Sequence, residues 1–255
     1  MRRVVLALIA AGLAATASSA AFAAETLRVY GAGGPAPAMK EAAAVFGKAH
    51  GIEVQVTAGP TPQWIDHAKS DADLIFSGSE VMMSDFIAAI PEIDPATVQP
   101  LYLRPATILV RPGNPGHIAG VADLLKPGHH ILVVNGAGQQ GLWEDVAGRL
   151  GDIESVRAFR ANIAKVAPNS AVARQAWTED NSLDAWLIWS IWQVANPQLA
   201  EQVAIEPPYA IYRDTGVALT RLGETRPMAK EFVSFLASAE GAAIFRKNGW
   251  VTDKR

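Results

Sequence analysis

Thr26–Ala58 reads TLRVYGAGGPAPAMKEAAAVFGKAHGIEVQVTA, and this stretch carries the clearest architectural signal in the chain. Thr26–Tyr30 alternates as a strand does. A turn of small residues, Gly31–Gly34 with Pro35, follows. Pro37–His50 then sets Met39, Ala42, Ala43 and Phe46 on one helical face. Gly51 stops that helix, as a glycine just past a helix end does, and Ile52–Thr57 resumes as a second strand. The cycle continues through Gly59-Pro60-Thr61-Pro62, where Thr61 reads as an N-cap and Pro62 as the first residue of a short helix over Gln63–Lys69. Ala72–Phe76 is a third strand, Ser77–Glu80 a turn and Val81–Ala89 a helix. The alternation β-α-β-α-β-α predicts a mostly parallel sheet with helices on both faces. Ligands of such sheets bind beyond the carboxyl ends of the strands. The turns Gly31–Gly34, Gly59–Thr61 and Ser77–Ser79 converge there, with Gly34 and Gly78 among their residues.

Ile131–Arg149, ILVVNGAGQQGLWEDVAGR, repeats the pattern in the second half. Its apolar run suits a strand covered on both faces. The glycine-rich turn opens a helix over Leu142–Leu150 with Glu144 and Asp145 in its first turn, where the helix dipole favours acids. Gly136-x-Gly138-x-x-Gly141 spells a dinucleotide fingerprint, but the required second strand ending in an acid about twenty residues on is missing. That window, SVRAFRANI, has helical character. No Gly-Lys-Ser/Thr follows, so it is no P-loop. What remains is a turn whose N–H groups suit an anion. Further on, Asp152–Asn162 reads as a helix, Lys165–Ala167 as a short strand, Ala171–Thr178 as a helix capped by Asn169-Ser170, and Leu183–Trp189 as a buried strand. Val203–Ile205 and Ile211–Leu219 read as extended. Glu224–Ala237 and Ser238–Lys247 read as the closing helices.

The chain has 255 residues, half of them hydrophobic, no cysteine and a formal charge of −3. Its length suits one large domain or two small ones. Arg2 and Arg3, the apolar run Val4–Leu13 and Ala21-Phe22-Ala23 form a secretory signal with cleavage expected after Ala23. Without it the charge moves to about −5, a poor match to nucleic acid. An exported chain without disulfides relies on its core. The scattered histidines, with no His-x₃-His, give no zinc site. No Gly-x-Ser-x-Gly elbow is present, and no cofactor is expected.

Several segments resemble a known family. LRVYGAGGPAPAMKEAAAVFGKAHGIEVQV and ADLIFSGSE resemble the molybdate- and sulfate-type periplasmic substrate-binding proteins of ABC importers. The Ser238–Trp250 ending is similar to the tail of solute-binding proteins. GGPAPAMKEAA, AGPTPQW, VVNGAGQQGLWED and DAWLIW resemble the accessory colonization factor C subgroup. The resemblance implies an α/β, two-lobe periplasmic-binding-protein fold (type II), mostly parallel, the second lobe inserted in the first through two hinge crossings. Lobe I would be 24–104 plus 206–255 and lobe II 105–205, with hinges near Leu103–Pro105 and Glu206–Pro208. Carried over from the family, the oxyanion site would use Ala32 and Gly33, then Thr61, Ser77 and Ser79, and Gly138 to Gly141 in lobe II. The family also places a tyrosine near the return hinge, where Tyr209 and Tyr212 stand. The first turn lacks the serine of the molybdate pattern, and proline-threonine-proline replaces serines in the second. That shifts the expectation toward sulfate or an organic acid, with Arg or Trp helping.

Other candidates come from the residues themselves. Gln139 and Gln140 read as solvated side chains or as ligand contacts. Asn169 and Ser170 read as caps or ligand groups, and Arg174 as a solvated residue or an anion partner. Arg104 and Arg213 read either as hinge braces, paired with a carboxylate such as Asp214, or as forks onto a carboxylate or sulfate. Trp64 and Trp143 sit beside binding turns, so one of them is a candidate cleft wall; Trp186, Trp189 and Trp192 read as core or interface aromatics. The expected function is a monomeric, periplasmic, non-enzymatic binding protein. It would capture a small anion and deliver it to an ABC permease or a chemoreceptor. The alternatives are a secreted colonisation-associated protein that binds another protein, and an exported enzyme on the same scaffold.

Overall fold

The computed structural model describes residues 26–136 and 138–253, so the signal segment lies outside the described residues. The first cycle forms β1 (Thr26–Gly31), α1 (Ala36–His50), β2 (Glu53–Ala58), α2 (Ile65–Asp71), β3 (Leu74–Phe76) and α3 (Glu80–Ala89). Helix α1 buries Met39, Ala42, Ala43 and Phe46, and Gly51 ends it at φ +68 while donating to the Gly47 carbonyl. The expected Gln63–Lys69 helix is split. A 3-10 turn covers Thr61–Gln63, and α2 starts only after Trp64, whose φ of −134 breaks the helical path. Thr61 makes no capping hydrogen bond.

The long strand β4 (Gln99–Val110) leads into α4 (Val121–Leu124), β5 (Ile131–Val134), α5 (Leu142–Ala147), α6 (Ile153–Asn162), β6 (Ile163–Ala167), α7 (Ser170–Glu179) and β7 (Ala185–Trp189). A short helix that the sequence reading left unassigned, α8 (Ile191–Ala195), follows β7 directly. Then come β8 (Glu201–Ala204), β9 (Tyr212–Leu219), α9 (Arg221–Glu224), α10 (Pro227–Leu236) and α11 (Ala239–Lys247). The expected Glu224–Ala237 helix is present as α10 over Pro227–Leu236, starting three residues later than read, because Glu224 ends the separate short helix α9. Pro227 holds Arg226 in extended backbone, and the Arg226 guanidinium reaches the fully buried Asp73 carboxylate at 2.8 and 3.0 Å. Backbone N–H of Arg28 donates to the same carboxylate at 2.8 Å.

The sheet runs β2-β1-β3-β9-β4-β7-β5-β6, with β8 also on β4. Pairing is parallel on the flanks (β1 with β2 and β3, β5 with β6 and β7) and antiparallel wherever β4 or β9 takes part. Two lobes result. One is built on β1–β3 and the far end of β9, the other on β5–β8 and the far end of β4. Between them β4 and β9 run side by side, with Arg104 opposite Arg213 and Pro105 opposite Tyr212. Leu74–Phe76, Ile131–Val134 and Ala185–Trp189 are buried along their whole lengths, which explains their unbroken apolar sequences. Glu206–Pro208 lies at a 3-10 turn before β9, with the Glu206 carboxylate accepting from Val121 N–H at 2.8 Å.

Candidate functional site

The strand ends of the first lobe are stitched together before any ligand contact arises. Ala32 N–H donates to the Phe76 carbonyl at 3.3 Å, and Gly59 N–H to the Gly31 carbonyl at 3.1 Å. A Cβ on Gly31 would stand 2.2 Å from the Phe76 oxygen, so only glycine allows β1 and β3 to approach this closely. The three turns then face a cavity of about 120 Å³. By this measure one water needs roughly 10–15 Å³, so the space takes a ligand of several heavy atoms. Ala32, Gly33, Gly34 and Pro35 form one edge, and Gly59, Pro60 and Thr61 a second. The N–H groups of Gly33, Gly34 and Thr61, and the Thr61 hydroxyl, make no hydrogen bond among the described residues. Gly78 completes the set; its N–H donates to Met82 Sδ at 3.4 Å, and Met82 itself lines the cavity.

Arg104 is the electrostatic centre. It lies on β4 at the crossing between the lobes and is 2 % exposed. Nη2 donates to the Gly78 carbonyl, Nε is buried with no partner, and Nη1 makes no hydrogen bond among the described residues. No carboxylate among the described residues pairs with it. Its guanidinium carbon stands 4.8 Å from the Trp189 ring and 5.3 Å from that of Trp250. Cation–π contacts of this kind are worth about 2 kcal/mol when desolvated, less than the several kcal/mol that burying a charge costs. Burial accordingly pushes the guanidinium down to about 9, with Asp214 opposing the fall and Arg213 adding to it. The geometry also explains two glycines: a Cβ on Gly34 would sit 2.8 Å from Nη1, and one on Gly78 3.0 Å from Nη2.

The second lobe contributes Gln139, Asn169, Ser170, Ala171, Trp189 and Trp192. Asn169 caps α7, its side chain accepting from Val172 N–H at 2.9 Å; the N–H groups of Ser170 and Ala171 ahead of it have no partner within the helix. The Gln139 amide donates to Ser170 Oγ at 2.6 Å, while its Oε1 is buried without a partner. Among the described residues no cluster of His, Cys, Asp or Glu could hold a metal ion.

Of the expected residues, Ala32, Gly33, Gly34, Thr61, Gly78, Arg104, Gln139, Asn169 and Ser170 line one cavity; Ser77, Ser79, Gly138, Gln140, Gly141, Arg174, Tyr212 and Arg213 do not. Ser77 is fully buried behind it, its Oγ accepting from Gly216 N–H at 3.3 Å. Ser79 is spent capping α3, accepting from Met82 N–H at 3.2 Å. Gly138 abuts that turn from the other lobe, where a Cβ would lie 3.3 Å from Ser79 Oγ. Gln140 is exposed, and Gly141, at φ +71, forms the entry to α5. Arg174 lies on the exposed face of α7, in a separate depression with Gln175 and Glu179. Tyr212 lines a different pocket with Leu101 and Val251. Arg213 pairs with the Asp145 carboxylate. Neither Trp64 nor Trp143 walls the cleft. Trp64 is core, donating to the Gly59 carbonyl at 3.2 Å, and Trp143 stacks on Phe159 at 5.8 Å. Trp189 and Trp192 take that place, and Met82, Pro35 and Pro60 were not singled out at all. The proline-flanked Thr61 was the nearest sequence signal to them.

Comparison with known proteins agrees with the two-lobe fold. The sequence profile of the bacterial extracellular solute-binding protein family matches residues 27–251. PEB3 in its L-phospholactate-bound crystal structure is 34 % identical, with a TM-score of 0.82 over 89 % of this chain and 100 % of that one. PEB3 from Campylobacter jejuni gives 35 % and 0.80, with the same coverage. The periplasmic molybdate-binding protein of Azotobacter vinelandii shares the fold at 18 % identity and a TM-score of 0.66, over 89 % and 100 % of the two chains. No curated protein matches the chain. With nearly the whole described chain matched, the protein belongs to the bacterial extracellular solute-binding family.

Proposed function

We propose that the protein binds a small organic anion between its two lobes, with the anion's charged head on Arg104. The observation that carries this reading is a buried cation that opens into a cavity and has no carboxylate partner among the described residues. A charge held in that state is compensated when an anion arrives. The other walls favour an organic ligand over a bare tetrahedral oxyanion. Pro35, Pro60, Met82, Trp189 and Trp192 are apolar, and Thr61 and Ser170 are the hydroxyls among the lining residues. The bound L-phospholactate of PEB3, an organic phosphate held by a relative, supports the same class.

In this reading the lobes are 24–104 with 206–255 and 105–205. They close on the ligand because it contacts both lobes only in the closed form. The signal segment 1–23 directs export to the periplasm, and delivery is to an ABC permease or a chemoreceptor. Binding and release need no chemical step.

The test is calorimetry and thermal unfolding of the residue 24–255 chain with L-phospholactate, small hydroxy- and dicarboxylates, sulfate, phosphate and molybdate. A ligand at about 100 Kd stabilises the fold by about 2.7 kcal/mol, a clear rise in Tm. The reading expects responses to organic anions. Responses confined to sulfate or molybdate, or none across the panel, would overturn it.

A further inference from the structure

Helix α8 enters the cleft from an unusual position. It begins immediately after β7, and Ser190 N–H donates to the Pro105 carbonyl at 3.0 Å, tying its start to the residue after Arg104. On its other side it packs on the C-terminal tail so closely that a Cβ on Gly249 would stand 2.8 Å from Val194 Cγ2. The helix is thereby fixed at the crossing between the lobes, and it presents Trp192 to the cavity.

The tryptophans differ in what their indole N–H groups do. Those of Trp64 and Trp177 donate to the carbonyls of Gly59 and Leu199 at 3.2 and 2.9 Å. Those of Trp186 and Trp189 are sealed from solvent without a partner. Trp192 Nε1 makes no hydrogen bond among the described residues, yet it is not sealed, and its ring lines the cavity. It also stands beside the charge. The point where a Gly34 Cβ would lie is 2.8 Å from Arg104 Nη1 and 4.0 Å from Trp192 Nε1. Two uncommitted donors, one charged and one neutral, therefore meet over the same glycine. Donors at such a place are normally satisfied, and an indole combines an apolar wall with one directional N–H.

We infer that Trp192 is a specificity-determining residue whose indole N–H donates to a second oxygen of the bound anion. The site thus selects organic anions that carry an acceptor beside the charged head. This inference rests on the proposed function, because it presupposes an anion on Arg104. The acceptor that the indole N–H takes lies on the organic skeleton and not on the charged head, so a bare tetrahedral ion seated on Arg104 leaves that donor unused.

The experiment compares wild type and Trp192→Phe by calorimetric titration with L-phospholactate and with inorganic phosphate. It adds the ¹⁵N-indole spectrum of the wild type with and without L-phospholactate. Phenylalanine keeps an aromatic wall and removes the donor. The expected result is a loss of roughly tenfold or more in affinity for L-phospholactate, the factor one hydrogen bond to a charged group contributes. Phosphate affinity should change by less than about twofold, the size of effect left once that bond is not at stake. The indole resonance absent from Trp192→Phe should shift on ligand addition. Equal affinity of the two proteins for L-phospholactate, equal losses for both anions, or an unmoved resonance would overturn the inference and leave the proposed function standing. A wild type that binds no organic anion would overturn both.

Discussion

The two crossing strands each carry an arginine at the same rung, Arg104 on β4 and Arg213 on β9. Arg213 is about a third exposed and spends its charge on Asp145, 68 residues away in sequence. Arg104 is sealed, has no carboxylate partner among the described residues, and faces Trp189, Trp250 and the cavity. The neighbouring Asp214 does not neutralise it by direct contact; its carboxylate accepts the Glu80 N–H at 3.2 Å. Position in the fold does not distinguish a brace from an anion site here, because the positions are equivalent. The missing partner does.

The comparison breaks most sharply if the two arginines are replaced in turn. Arg104→Met should weaken organic-anion binding about a hundredfold or more, the usual scale for losing a buried charge partner. It should also raise the Tm of the empty protein, since an unpaired buried cation is removed. Arg213→Met should do neither, and calorimetry with thermal unfolding reads both. The next effect is in pH. Burial holds Arg104 down to about 9, so anion affinity should be flat below that value and fall above it, approaching tenfold per pH unit. Over the same range the unfolded chain keeps the proton that the native chain has lost, so the empty protein gains stability as pH rises above 9. Titrations from pH 7 to 10.5 test both signs.

A smaller change is expected for Asp145→Asn. Its pair with Arg213 joins the lobes but is partly exposed, and such pairs contribute about 0–1 kcal/mol. Affinity should shift by less than about fivefold, and a larger loss would make Arg213 part of the site after all. The smallest effect is at Glu80. Burial, then the nearby Asp214 carboxylate, raises its carboxyl above the usual range. Its charged form therefore opposes folding, with stability falling as pH rises from the ordinary value to the raised one. Glu80→Gln should raise the Tm slightly at pH 7 and leave it unchanged at pH 4.

What the sequence makes legible is what a few neighbouring residues decide. The buried runs Leu74–Phe76 and Ile131–Val134 each end in a turn of small residues, and residues of those turns line the cavity. The caps at Ser79, Asn169 and Ser238 follow from single side chains next to helix starts. The true start of the Glu224–Ala237 helix is readable in principle, since Pro227 is a local signal for a first helical residue. The arginines were not separable, because Asp145 claims Arg213 across the lobes. Ser77 and Ser79 look like ligand hydroxyls by position, but Gly216 and Met82 take up their oxygens. Leu183–Trp189 reads as a buried strand, and nothing local says that its last tryptophan faces a guanidinium. Helix α8 is one turn long, too short for periodicity to appear.

Trp250 is the last structural piece of the Arg104 environment, and Val251 pairs with Leu103 just before that arginine. Strand β9, which joins β3 to β4, also comes late in the chain. A chain synthesised from its N-terminus therefore carries every first-lobe turn and Arg104 itself for more than half of its length before the arginine can be housed. The seat of Arg104 is thus assembled from both ends of the sequence, and shortening the chain before Trp250 removes one of the two rings that face its guanidinium.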